Sequence, residues 1–239
     1  MGPRSLTKAS MIEAAFEAAG FDLVRWVAVG DYNTVCPPDN RLPTLGSKRS
    51  PVAVVGNTRA IWTSFLDGLR SDPGLVATGN PLDTWVEQRI HQVVEDISYN
   101  THVVFCHDTS GPIVSFQQLG ALAGTGFVGP CRLSVHRRFG PWISFRAAVV
   151  VDMEPVQSQF QAIDTCSGCV KQPCMTAARQ LAQHEGDTSF SEVRSQWEKW
   201  LAVRQACPVG AEHAFDSLQS AYHYTHDAML LAGVLDENS

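Results

Sequence analysis

The chain has no apolar run approaching the ~18 residues that a membrane span needs, no low-complexity tract and no internal repeat. Glu13 and Glu17 interrupt the apolar residues near its start, so no secretory leader is expected. Positive charge is scarce as well: 18 Lys and Arg stand against 24 Asp and Glu, for a formal net charge of −6. A duplex- or tRNA-binding surface rests on a basic face, and this balance argues against nucleic acid as the main partner. Together these absences predict a cytoplasmic protein with no membrane partner. Disulfide stapling is not expected either, because seven cysteines is an odd number and 239 residues can build a core without bridges.

What is present is a globular composition, 44% hydrophobic, with eleven Phe and six Trp to fill a core. Apolar spacing predicts a helix over 5–19 with Ile12, Ala15, Phe16 and Ala19 on one face and Gly20 as its stop. Strands are expected at Phe21–Val29, Val52–Val55 and Val103–Cys106. Between them, one helix carries Ile61, Trp62, Phe65 and Leu69 behind an Asn57 or Thr58 cap. A second starts at Asn80-Pro81 with Val86, Ile90, Val93 and Val94 inward. Residues 113–123 read as a helix, followed by a tight Gly-rich loop. Cys131–His136 and Trp142–Asp152 then read as two strands of a hairpin. After Asp152 a polar linker leads to helices over 191–206 and around Phe215, Leu218, Tyr222 and Met229. The predicted organisation is an α/β part, 1–152, and a helical, cysteine-bearing part, 153–239.

The segment CSGCVKQPC sets Cys166, Cys169 and Cys174 at C-x2-C-x4-C, and Cys207 follows 33 residues later, directly before Pro208. Such spacing lets one loop wrap three thiolates around a metal centre, and Cys-Pro is a frequent context for a remote fourth ligand. In two-cluster ferredoxins each motif gives three cysteines to one cluster and its fourth to the other. Here Ala178 and Arg179 follow where a first motif would be completed, and no cysteines precede Cys207 in a second. What is left is the ligand set of one 4Fe–4S cluster. Four thiolates also suit zinc, and a metal-free remnant of the motif is the third reading. Cys36, Cys106 and Cys131 read as small buried hydrophobes.

The run DTSGPIVSFQQLGALAGTGFVGPCRLSVHRRFGPWISFRAAVVVD (108–152) resembles the core of the epoxyqueuosine reductases and reductive dehalogenases. Its SVHRRFGPW hairpin also looks like that of the CblC-type cobalamin-processing proteins, as do the Pro37-Pro38 loop, the AVVGNT turn and the NPLD helix start. The likeness spans residues 20–225. It implies an α/β (α+β) fold, a nitroreductase-like sandwich with a ferredoxin-like cysteine segment, that binds cobalamin (a corrinoid) and one 4Fe–4S cluster. The resemblance further implies a cobalamin-dependent oxidoreductase acting on a small molecule, supplied with electrons by a ferredoxin or flavodoxin. A cobalamin-trafficking protein with zinc or no metal, and a one-cluster electron carrier, are the alternatives.

By that resemblance Asp108 matches an acidic proton donor, although an Asp at this place can equally cap the next helix. Gly124, Gly126 and Gly129 permit positive φ and close backbone approach to a bulky ligand, or form a plain turn. Arg138 matches a ligand-binding arginine of the CblC hairpin, able to clamp a carboxylate or phosphate, or it stands solvated at a hairpin tip. Phe139 and Trp142 fit a cavity lining or the core. Arg146 is expected to pair with an acid, and His223 and His226 either meet one ligand or take core and surface places. The reductases carry two clusters' cysteines and a helical-repeat region for tRNA; with one cluster's cysteines and an acidic balance, tRNA modification is not expected of this chain.

The three-plus-one set makes a direct prediction: Cys207→Ser abolishes the metal site as fully as a substitution at Cys166, Cys169 or Cys174. Full metal content in the purified variant would remove this ligand model.

Overall fold

A computed structural model describes residues 7–156, 163–182 and 190–236. Its centre is a four-stranded antiparallel sheet in the order β1-β2-β6-β3, formed by Leu23–Ala28 (β1), Pro51–Asn57 (β2), Ser144–Val151 (β6) and Thr101–Phe105 (β3). Strand β2 is buried at every position because both faces of the sheet are covered. Alternation sorts the side chains. Val24, Trp26, Ala53, Val55, Ala147, Val149 and Val151 face one layer, whereas Val27, Val52, Val54, Ala148 and Val150 face the other.

The first layer is made by helices Lys8–Ala18 (α1), Ile61–Ser71 (α3) and Pro81–Asp96 (α4). Each buries the stripe that its spacing dictates: Ile12 and Phe16, then Ile61, Trp62, Phe65 and Leu69, then Val86, Ile90 and Val93. Each of these large side chains contributes about 1.5–3 kcal/mol on leaving water. Asn80 caps α4 by accepting from Asp83 N–H at 3.3 Å, with Pro81 as its first residue. No side chain caps α3 directly; Thr58 instead accepts from Ala60 N–H just before it, and Asn57 turns elsewhere. Helices Val29–Val35 (α2) and Phe116–Leu122 (α5) make the opposite layer, with Tyr32, Leu119 and the buried Cys36 against the sheet.

The predicted 131–136/142–152 hairpin is not what forms. Ser134–Val135 (β5) pairs with Phe127–Val128 (β4), and β6 begins only at Ser144, pairing with β2 and β3. Residues 136–140 close instead as a tight turn, with His136 and Gly140 exchanging backbone hydrogen bonds at 2.8 Å. Alternation in the sequence marks extended chain but carries no information on which edge will pair with it.

The C-terminal part is helical as expected, in shorter pieces: Pro173–Ala182 (α6), Phe190–Ser195 (α7), Trp197–Gln205 (α8), Ser217–Thr225 (α9) and Ala232–Asp236 (α10). The single helix expected over 191–206 breaks at Gln196, and its most buried residues are Val203 and Arg204. The last predicted helix breaks at His226, whose φ is +50°, leaving Met229 exposed. Tyr222 and Leu231 join the core of the first layer. Most of the linker expected after Pro155 lies outside the described residues. Among the described residues no helix is long and apolar enough to cross a membrane.

The 136–140 turn meets residues 207–210 at two glycines. Gly140 has φ +58°, and a Cβ there would lie 1.8 Å from the Val209 carbonyl oxygen. Gly210 has φ +68°, and its Cβ would fall 2.3 Å from the Phe139 carbonyl carbon. Gly140→Ala should therefore cost at least about 2 kcal/mol, from a left-handed non-glycine backbone and a backbone clash together. Thermal unfolding checks this, and an unchanged melting temperature would show that the two segments do not meet.

Candidate functional site

Five cysteines, not four, gather where the sheet layer meets the C-terminal helices. Asp164 organises the first loop by accepting from Cys166 N–H at 2.9 Å and Ser167 N–H at 3.0 Å, and Cys169 N–H closes the turn on the Cys166 carbonyl. Cys174 is buried in the first turn of α6, and Cys207 is buried just beyond α8. Cys174 adjoins Cys131, on the segment leading into β5, closely enough for the Cys131 thiol to disfavour its ionisation. Cys166 and Cys207 lie close enough to Cys131 and to each other to disfavour ionisation, and Cys169 adjoins Cys207. Burial first, then these neighbours, raise the thiols of Cys166 and Cys207 and push Cys174 up to about 12.

The expectation that Cys131 is an isolated small hydrophobe is thus corrected. The missed signal was its place beside the Gly-rich loop, on the same side as the cysteine segment. Cys106 is likewise no buried hydrophobe: it is exposed at the mouth of a cleft. Two non-glycine residues take left-handed backbone beside this centre, Arg132 at φ +65° and Gln172 at φ +38°, next to Cys131 and close before Cys174. Backbone strain of this kind clusters at functional sites.

The glycines of the loop explain how the cysteine segment sits so close. A Cβ on Gly129 would lie 3.2 Å from Cys166 Sγ, and one on Gly126 would lie 3.4 Å from the Val135 backbone. Gly124 has φ +75°, which turns the chain out of α5. The backbone approach permitted at Gly126 and Gly129 is therefore toward this chain's own residues.

Beside the thiols lies a cleft of about 320 Å³, at the small end of the range for small-molecule sites. It shares two segments with them: Leu133 and Ser134 follow Cys131, and Arg204 precedes Cys207. Its apolar lining includes Leu82, Ile143 and Phe145; its polar lining includes Asp83, His107, Arg146, His223 and His226. The expected acid partner of Arg146 is Asp83, from α4 rather than from the sheet, at 3.6 Å; Arg146 also donates to Asn57 at 2.7 Å. His107 joins Glu87 at 2.7 Å and faces Asp83 at 3.7 Å. His226 contacts Asn80 at 2.8 Å, so both histidines singled out in the sequence reach one cavity.

The remaining predicted residues fall around this centre rather than inside it. Asp108 is exposed on the loop after β3, accepting from Ser110 N–H at 2.8 Å and Oγ at 2.6 Å, which holds its carboxyl below the usual range. It caps no helix, because Ser115 caps α5. Arg138 is exposed and stacks over Phe139 at 5.2 Å, while Phe139 packs between His136 and His213, each ring centre at 4.8 Å. Trp142 is buried beneath Arg204, with its Nε1 unpartnered.

The fold is α+β and nitroreductase-like, as the sequence resemblance implies. No protein-family model matches the chain, and no curated protein matches it. Solved structures do. The Caenorhabditis elegans B12-trafficking protein CblC, a human MMACHC homologue, superposes with a TM-score of 0.68 at 14% identity, over 97% of this chain and 98% of that one. Epoxyqueuosine reductase from Streptococcus thermophilus gives a TM-score of 0.54 at 10% identity, over 98% and 83%. The Bacillus subtilis epoxyqueuosine reductase, in a structure whose catalytic aspartate loop is swung out of the active site, gives 0.51 at 12%, over 96% and 83%. At these identities the likeness is one of fold.

His136 supplies a pH prediction. Its Nδ1 accepts from the N–H groups of both Arg138 and Phe139 at 3.1 Å, which requires the neutral ring. Burial, then Arg25, Arg137, Arg138 and His213, lower its pKa to about 4. Burial also lowers His223 and His226. The unfolded chain then binds more protons below its own histidine range, so stability is full above about pH 6.5 and falls progressively toward pH 4. Melting temperature should drop over that window, and His136→Asn, which keeps an acceptor but cannot titrate, should flatten part of the drop. An identical acid limb in the variant would contradict this role.

Proposed function

We propose that this chain is a corrinoid-binding redox protein whose cysteines hold an iron–sulfur cluster. The observation that carries the proposal is the gathering of Cys131, Cys166, Cys169, Cys174 and Cys207 beside a cleft, in a fold shared with a B12-trafficking protein and a reductase. The donor chemistry fits: soft thiolates suit an iron–sulfur cluster. Since burial raises the thiols of Cys166, Cys174 and Cys207, filling the site displaces protons and is favoured as pH rises. Cys166, Cys169, Cys174 and Cys207 are the proposed ligands, with Cys131 adjoining them.

The cleft, about 320 Å³, has room for a small substrate rather than a whole corrinoid, which would lie against the adjoining loop and hairpin. Gly124, Arg138, Phe139 and Trp142 are the loop and hairpin positions proposed to hold it. A cluster and corrinoid together would supply low-potential electron transfer to a small substrate. This chain's own residues would position that substrate and handle its protons. His107, held by Glu87 and Asp83, is placed to hold a proton at the cleft edge. Asp108 takes its proposed proton-donor role only if the loop after Phe105 turns inward, since its carboxylate now faces solvent.

The second reading is a CblC-like cobalamin-trafficking protein with zinc or no metal at the cysteines. It is favoured by the near end-to-end match to CblC and by the lack, among the described residues, of three side chains already set at metal-holding geometry.

The deciding experiment is the iron, acid-labile sulfide, zinc and cobalt content of protein purified without oxygen and incubated with hydroxocobalamin. About four irons and four sulfides per chain, together with bound cobalt, are expected. Cobalt with zinc or no metal would establish the second reading, and no cobalt would remove corrinoid binding from both.

A further inference from the structure

Arg204 is a buried cation without a carboxylate partner among the described residues. It is 8% exposed, and its Nε and Nη1 have no hydrogen-bond partner. No Asp or Glu among the described residues forms an ion pair with it. Around it stand Trp142, Phe215 and Tyr224, with ring centres 5.7, 5.5 and 5.5 Å from Cζ. Those faces attract a guanidinium, but they make no hydrogen bonds to its N–H donors. Burying unsatisfied donors on a charged group is among the costlier things a fold does.

The rest of the cleft does not neutralise it. Asp83 lies with Arg146 and His107, and Glu87 lies with His107. His223, also buried there, is kept neutral by burial and by the nearby Arg204 and Arg146, and His226 is lowered as well. Asp83 is thus taken by Arg146 and His107, and Arg204 is left without a carboxylate among the described residues. Ser134 Oγ and Ser144 Oγ, both lining the cleft, are likewise buried and unpartnered. An unpaired fork-shaped cation, two idle hydroxyls and an apolar wall at Leu82, Ile143 and Phe145 converge on one space.

We infer that this cleft binds the carboxylate or phosphate group of a small organic ligand, with Arg204 as its anchor and Ser134 and Ser144 as further donors. A planar guanidinium matches the paired oxygens of either group, and the apolar wall takes the rest of the molecule. The inference rests on the cleft alone and requires neither cluster nor corrinoid.

The test uses the full chain as purified, titrated with inorganic phosphate or succinate at matched ionic strength, following melting temperature and tryptophan fluorescence. At least one probe should raise the melting temperature saturably and change the emission. Succinate alone assigns a carboxylate ligand, and phosphate alone assigns a phosphate ester. Arg204→Lys should weaken binding on the order of 10- to 100-fold, the loss of charge-assisted hydrogen bonds. Arg204→Met should abolish the response while melting higher than the ligand-free wild type, because it removes an unpaired buried charge. No response from the wild-type chain to either probe would overturn the inference, whether or not the variants fold. An equal response in Arg204→Met would overturn it too.

Discussion

The meeting of Cys207 and Arg204 with the rest of the candidate site depends on one close approach, where the backbone at Gly140 crosses the backbone at Gly210. No side chain fits between them: added Cβ atoms would fall 1.8 and 2.3 Å from backbone atoms of the opposite segment. The contact fixes the 207–210 segment on the turn that follows β5. Cys207 is thereby brought to Cys131, and Arg204, one turn earlier on α8, is brought over Trp142 at the cleft. Gly129 extends the same device, admitting Cys166 where a side chain would meet its sulfur. The cysteine segment thus packs beside the cleft, which it reaches through the segments that carry Cys131 and Cys207.

The ionic arrangement follows from that docking. The cleft sits between the layer-forming helix α4 and the C-terminal helices, so its charged groups are removed from water and must find each other. Arg146, Asp83, His107 and Glu87 do so. Arg204 does not among the described residues, and burial lowers His223 and His226 in the same cleft. The arginine without a carboxylate partner is what the inferred anionic ligand would satisfy, and the lowered histidines cost stability in mild acid.

Much of the scaffold was legible in the sequence because its signals are local. The stripes of α3 and α4, the Asn80-Pro81 start and the strand at 52–55 follow from period and capping. The C-x2-C-x4-C spacing was also legible, since Cys166, Cys169 and Cys174 are close in sequence, while their role as ligands stays a proposal. What could not be read depends on which distant segments touch. The partner of β5, the break at His226 and the nearness of Cys131 to Cys174 are decided by tertiary contacts. Arg204 was invisible for the same reason: an arginine in an amphipathic helix reads as solvated until the aromatic residues that enclose it are seen.

The central claim is that the thiol centre and the cleft form one redox unit. Electron paramagnetic resonance of anaerobic protein carrying a reduced cluster and cob(II)alamin tests it most directly. The account predicts magnetic coupling between the two centres, seen as a broadened or split cobalt signal. Two unperturbed signals that simply add would contradict it.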